Sequence, residues 1–217
     1  MLLGRFHSLV ADLEPAVLSE TLPGFHDPAG RLDALRSVVT ADPCQRASAV
    51  RDEIDMALAA ESLTELAADF TNRVPRRVAH FDAKLDNILF AGEDAVALVD
   101  FDTLMPGAWF WDVGDLLRSG ATTAAEDEPD ADRVTVAPER YRAIIDGYRQ
   151  ALSDAGVADP AELAAVDAAG AIVTYEQAVR FLTDWIAGDV YYRISRPTQN
   201  LDRARAQFRL LASMPRP

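Results

Sequence analysis

The chain has 217 residues, 49% of them apolar and 26% charged, which is enough apolar material for a core in one large domain or two small ones. Its formal charge is −14, from 35 acids against 21 bases, and a surface that negative disfavours nucleic acid and anionic membrane as partners. A single cysteine, Cys44, excludes an internal disulfide framework and fits a reducing cytoplasm; no apolar run is long enough to span a bilayer, and MLLGRFHSLV lacks the features of a secretory leader.

Leu3, Phe6, Val10 and Leu13 recur at helical spacing and predict an opening helix. After a turn at Pro23-Gly24, Asp27-Pro28 opens a helix whose apolar face is Leu32, Leu35, Val38 and Val39. Asp42-Pro43 opens another, carried from Val50 through Phe70 with a break near Ser62, and Pro75 ends it. The period then changes. Arg76 to His80 reads as a strand, and Asn87–Phe90 with Ala95–Asp100 as a hairpin around Gly92-Glu93-Asp94. Met105-Pro106-Gly107 reads as a turn before a helix from about Ala108 to Ser119, in which Trp109, Phe110 and Trp111 are core.

Residues 121–132 (ATTAAEDEPDAD) are small, acidic and without period, and predict a solvated loop. Pro138 opens the next helix. Asp159-Pro160-Ala161-Glu162 carries three agreeing start signals for a long helix reaching Ile186, where Gly188 interrupts. A last amphipathic helix runs from Asn200 to Ser213. The expected fold is a single α+β domain, mainly α: helical over 1–75, a catalytic loop and hairpin over 76–102, and helical again over 103–217.

The chemistry concentrates in HFDAKLDNILF, residues 80–90, and LVDFD, residues 98–102. Carboxylates at the edge of a small ribbon can converge on one point, and Asp and Asn oxygens are hard ligands suited to Mg²⁺. His80-x-Asp82-x-Lys84-x-x-Asn87 matches the kinase catalytic loop, and Asp100 follows Asn87 by thirteen residues at the end of an apolar strand, as D-F-D where kinases carry D-F-G. On this reading Asp82 takes the acceptor hydroxyl's proton and Asn87 and Asp100 hold Mg²⁺, with Asp102 a second carboxylate at the same strand end. Lys84 places a point charge beside the transferring phosphoryl group, and His80 fixes the loop. Asp112 is either an ordinary first-turn acid or a support for the loop backbone.

HFDAKLDNILF, VDFDTLMPG and WDVGDLLRSG resemble the aminoglycoside phosphotransferase/choline kinase superfamily, and more closely its N-acetylhexosamine 1-kinase branch. ETLPGFHD, EIDMAL, RFLTDWIAGDVYYRI and NLDRARAQFRLL extend the resemblance from about Phe6 to Met214. It implies the large, C-terminal lobe of a kinase-like fold. It also implies ATP- and Mg²⁺-dependent phosphorylation of the anomeric hydroxyl of an N-acetylhexosamine or hexosamine. Arg180 and Tyr191 match the branch's sugar-binding positions. Aminoglycoside or choline phosphorylation, and a non-catalytic sugar- or nucleotide-binding module, are the alternatives.

A kinase-like enzyme also uses a small lobe with a glycine-rich loop and a strand lysine. The only lysine here is Lys84, and Gly4, Gly24 and Gly30 do not cluster. The expectation is therefore a chain shortened at its start, a natural single-lobe protein, or a lobe supplied by another polypeptide. Apolar surface left without that lobe would favour a homodimer or partner contact.

Overall fold

The computed structural model describes residues 1–216. Helix α7 (Pro160–Ala187) is the beam around which the rest is laid. Its start is specified locally: the Asp159 carboxylate accepts from the Ala161 and Glu162 N–H groups at 2.8 and 3.1 Å, with Pro160 in the first turn. Gly188, at φ 104°, supplies the left-handed cap that ends it. Most of the residues between are buried, as those of a helix wrapped by others must be, and they are mainly apolar. Helices α2 (Pro28–Ala41), α3 (Arg51–Ala59), α4 (Ser62–Arg73), α5 (Phe110–Gly120) and α8 (Gln199–Ser213) pack on it. Helix α1 (Leu2–Leu9) packs on α6 (Pro138–Asp154).

Two small antiparallel ribbons complete a mainly helical α+β fold. Strand β1 (Arg77–Ala79) pairs with β4 (Met105–Gly107), and β2 (Ile88–Ala91) pairs with β3 (Asp94–Leu98), with a register shift between Leu89 and Phe90. The hairpin stands out from the body. Leu89, Phe90 and Val96 are about half exposed, as is Phe101 just beyond it.

Four local expectations are corrected. Helix α1 ends at Leu9, so Val10 and Leu13 lie beyond it. Asp42 closes α2 instead of opening the next helix: it sits at φ 37°, and its carboxylate accepts from the Arg46 and Ala47 N–H groups. Met105-Pro106-Gly107 is a strand despite its turn composition, because Met105 and Pro106 are buried opposite Val78 and Ala79. The 121–132 segment is stapled to the body. Glu126 pairs with Arg118 at 2.6 Å, Asp127 with Arg196 at 2.8 Å, and Thr122 bridges to Val136. The break near Ser62, the hairpin and the buried Trp109-Phe110-Trp111 run lie as expected.

Helices α5 and α7 pack tightly at Gly114, where a Cβ would collide with the Ala169 carbonyl and the Val173 side chain. Backbone cannot yield as a flexible side chain can, so Gly114→Ala should cost about 1–3 kcal/mol in chemical denaturation by overpacking. An unchanged denaturation midpoint would show that the helices part freely.

Candidate active site

The 80–82 segment is held from several directions. Asp112, in the first turn of α5, is fully buried; its carboxylate accepts from the backbone N–H groups of His80 and Phe81, both at 2.7 Å, and from His7 Nε2 at 2.8 Å. The Thr103 hydroxyl donates to the His80 carbonyl at 2.6 Å. The His80 ring accepts from the Asp82 N–H on Nδ1 at 3.3 Å and donates from Nε2 to the Val99 carbonyl at 3.0 Å, and these contacts fix its tautomer. Phe81 sits at φ 67°, a left-handed conformation costly for a bulky side chain. The paired N–H bonds to Asp112 offset that cost. The Phe81 ring occupies the space a side chain at Gly107 would need.

Two buried histidines brace the same turn. His7 donates to Asp112, accepts from the Tyr148 hydroxyl at 2.8 Å, and stacks on Trp109. Burial lowers its pKa, outweighing the nearby Asp112 charge, so it stays neutral. His26 stacks on Trp111 and reaches the Phe81 carbonyl from Nε2 at 3.1 Å and Glu176 from Nδ1 at 2.6 Å. Burial alone would lower its pKa, but the Glu176 carboxylate raises it. Both ring nitrogens face acceptors, an arrangement that suits the imidazolium. Neither residue figured in the sequence reading. A lone histidine on an apolar face carries no spacing signal.

The turn presents Asp82 to a cleft. Oδ2 of Asp82 accepts from Lys84 Nζ at 2.7 Å and from Asn87 Nδ2 at 3.0 Å, while Oδ1 receives no donor from the described residues. Burial would lower the Lys84 pKa, but Asp82 raises it, so the ammonium persists as the partner of the carboxylate. Asn87 commits its amide hydrogens to the backbone carbonyl and side chain of Asp82, which leaves its Oδ1 unspent. Its own carbonyl accepts from the Val99 N–H at 3.0 Å, tying the loop to the residue before Asp100. Asp100 is exposed at φ 68° and Asp102 is exposed in the short turn that follows; neither makes a side-chain hydrogen bond or ion pair among the described residues.

The cleft has a volume of about 610 Å³. It brings together Asp82, Lys84, Arg180 and Tyr191; Asn87, Asp100 and Asp102 are not on its wall. The Arg180 guanidinium lies 5.7, 5.9 and 5.6 Å from the ring centres of Phe25, Tyr191 and Tyr192 and has no carboxylate partner among the described residues. Asp184, one turn further along α7, fixes the segment that carries those tyrosines. Its carboxylate accepts from the N–H groups of Val190, Tyr191 and Tyr192 at 2.8–3.0 Å and from Asn200 Nδ2 at 2.8 Å. A second unforeseen cluster, Asp115 with Arg118, also lines the cleft, the two joined by bonds of 2.7 and 2.9 Å.

A carboxylate with one oxygen held and one without a donor, a lysine at its side, and exposed hard oxygen donors on the adjoining turn are the kinds of group that phosphoryl transfer uses. Residues 1–144, well over half of the chain, match the phosphotransferase enzyme family (APH), and the chain belongs to that family. Its members generally use ATP and Mg²⁺.

Among the described residues no three His, Cys, Asp or Glu side chains form a metal cage. The Asn87 amide oxygen and the Asp100 and Asp102 carboxylates are hard donors of the type Mg²⁺ takes, and that ion needs only one or two carboxylates because phosphate and water oxygens complete its shell.

Removing the Asp112 carboxylate strands two backbone donors and His7 in a dry interior, so Asp112→Ala should destabilise the chain by about 3–5 kcal/mol in urea titration. A loss under 1 kcal/mol would contradict this role. His26 gives a pH signature. Its folded pKa lies above the ordinary 6.5, so the stability it contributes is complete below pH 6.5 and is lost as pH rises through the folded value. Wild-type unfolding free energy should therefore fall from pH 6.5 upward, and His26→Gln should flatten that limb. Equal slopes in the two proteins would refute the assignment.

Proposed function

We propose that this chain is a phosphotransferase of the sugar 1-kinase type, transferring the γ-phosphoryl group of ATP to the anomeric hydroxyl of an N-acetylhexosamine or hexosamine. The observation that carries the reading is Asp82, whose Oδ2 is held by Lys84 and Asn87 while Oδ1 is left for an acceptor hydroxyl. Asp82 is the general base: Oδ1 accepts the hydroxyl hydrogen, and the proton moves to the carboxylate as the oxygen attacks the γ-phosphorus and the bond from that phosphorus to the bridging oxygen of the departing ADP breaks. Lys84 keeps that carboxylate oriented and adds positive charge where negative charge spreads. His80 and Asp112 act through the loop backbone and touch no substrate.

Asn87 and Asp100, with Asp102 beside them, are the residues that would hold Mg²⁺, and the bound ion would neutralise phosphate charge. Arg180 and Tyr191 are the acceptor-binding residues. A planar guanidinium without a carboxylate partner offers its donors to sugar oxygens, and an adjacent ring covers a sugar face. The hydroxyl-rich acceptor is preferred over choline because the Arg180 guanidinium on the cleft wall has no carboxylate partner among the described residues and offers donors that a quaternary ammonium cannot use.

Incubation of the chain with ATP, Mg²⁺ and a panel of hexosamines should yield sugar 1-phosphate, and Asp82→Asn should reduce the rate by about 10²–10⁴-fold. Turnover of choline or aminoglycosides in place of hexosamines would overturn the acceptor assignment. Undiminished activity in Asp82→Asn would overturn the base.

A further inference from the structure

The cleft has a second polar wall that the reading above does not use. Gln207, on α8, is only 3% exposed, yet its Oε1 has no hydrogen-bond partner. Its Nε2 makes no hydrogen bond among the described residues either. A buried amide oxygen without a partner is costly, and such groups in folded proteins are normally satisfied. Gln207 lines the same cleft as Asp82.

Its neighbours extend the pattern. Arg203 lies one turn before it on α8, and Gln177 lies on the facing α7, one turn before Phe181. The Arg203 guanidinium sits 5.4 Å from the Phe181 ring centre, and its Nε is likewise buried without a hydrogen-bond partner, the nearest carboxylate oxygen, from Glu126, being 3.8 Å away. Gln177 Oε1 accepts only a long 3.5 Å contact from the Tyr192 hydroxyl. Arg203 Nη1 donates to Asn200 Oδ1 at 3.0 Å, so the two facing helices present to one cleft two amides and a guanidinium whose hydrogen-bonding capacity is partly unspent.

We propose that Gln207 is a specificity-determining residue for the acceptor: its amide oxygen accepts a hydrogen bond from a hydroxyl of a polyhydroxylated substrate, with Arg203 and Gln177 beside it. The inference rests on the sugar-kinase reading and deepens it. It places a recognition point for ring hydroxyls on α8, apart from Arg180 and Tyr191. A cationic acceptor without hydroxyl donors gains nothing from this wall.

Calorimetric titration of the chain with N-acetylglucosamine and N-acetylgalactosamine tests it. Gln207→Met keeps the length and removes the amide. It should bind the preferred sugar about tenfold more weakly. Its thermal midpoint should stay at or above that of wild type, because an apolar group replaces a polar one that has no protein partner. Gln207→Glu keeps an acceptor oxygen and should restore most of the affinity. Independently of any variant, one monodeoxy analogue of the sugar should lose about tenfold against wild type, and that difference should vanish in Gln207→Met. Equal affinity of wild type and Gln207→Met, or no loss with any deoxy analogue, overturns the inference alone. If wild type binds no hexosamine, the sugar-kinase reading falls and this inference falls with it.

Discussion

Folding places the Asp112 carboxylate in a dry interior, where an isolated charge costs far more than any single hydrogen bond returns. The structure meets that cost by aiming two consecutive backbone N–H groups and one imidazole at it. The same arrangement holds Phe81 in a left-handed conformation, turning the chain so that Asp82 leaves the protein interior and faces the cleft. The proposed base is positioned by an acid that never meets solvent. All three histidines of the chain serve this turn: His7 through Asp112, His26 through the Phe81 carbonyl, and His80 within it.

Helix α7 does for the acceptor wall what Asp112 does for the loop. Glu176, Arg180 and Asp184 are spaced four residues apart, so they lie along one stripe about 12 Å long. Glu176 anchors His26 and the Asp27 N–H group, Arg180 projects into the cleft, and Asp184 ties down the tyrosine-bearing segment beyond the helix. Since α5, bearing Asp112 and Asp115, is packed against α7 at Gly114, the base loop and the acceptor wall share one rigid contact. His26, bonded to the Phe81 carbonyl and to Glu176, links the two directly as well.

The part of this arrangement that sequence alone reveals is the part with fixed local spacing. The Asp82-to-Asn87 interval and the acidic strand end are written along the chain, and so are the start signals of α7, because a cap acts within one turn. Asp112 was open to two readings for a related reason: a first-turn acid and a long-range backbone acceptor look the same in one dimension. His26 and Glu176 are 150 residues apart. Their pairing depends on where α2 and α7 cross, which no local pattern encodes. Strand β4 was hidden by its own residues, Pro106 and Gly107, whose turn preference yields to burial against β1. Gln207 reads as one polar position in an amphipathic helix, and only its burial without a partner distinguishes it.

Charge within the cleft differs from charge on the molecule. The chain as a whole carries −14, yet the cleft wall holds Lys84, Arg118, Arg180 and Arg203 against Asp82, Asp86, Asp115 and Glu126, four charges of each sign with His26 set aside. A uniformly negative wall would repel a triphosphate; a strongly positive one would hold it too tightly to release it. Balance alone does not decide what binds, because the charges are unequally committed. Lys84 is bonded to Asp82, and Arg118 to Asp115 and Glu126. Arg203 donates to Asn200 and lies near Glu126, whereas Arg180 lies against aromatic rings with no carboxylate partner among the described residues. The least committed cation of the wall is therefore Arg180. Its planar fork, held against rings, presents pre-organised hydrogen-bond donors to the oxygen atoms of a ligand.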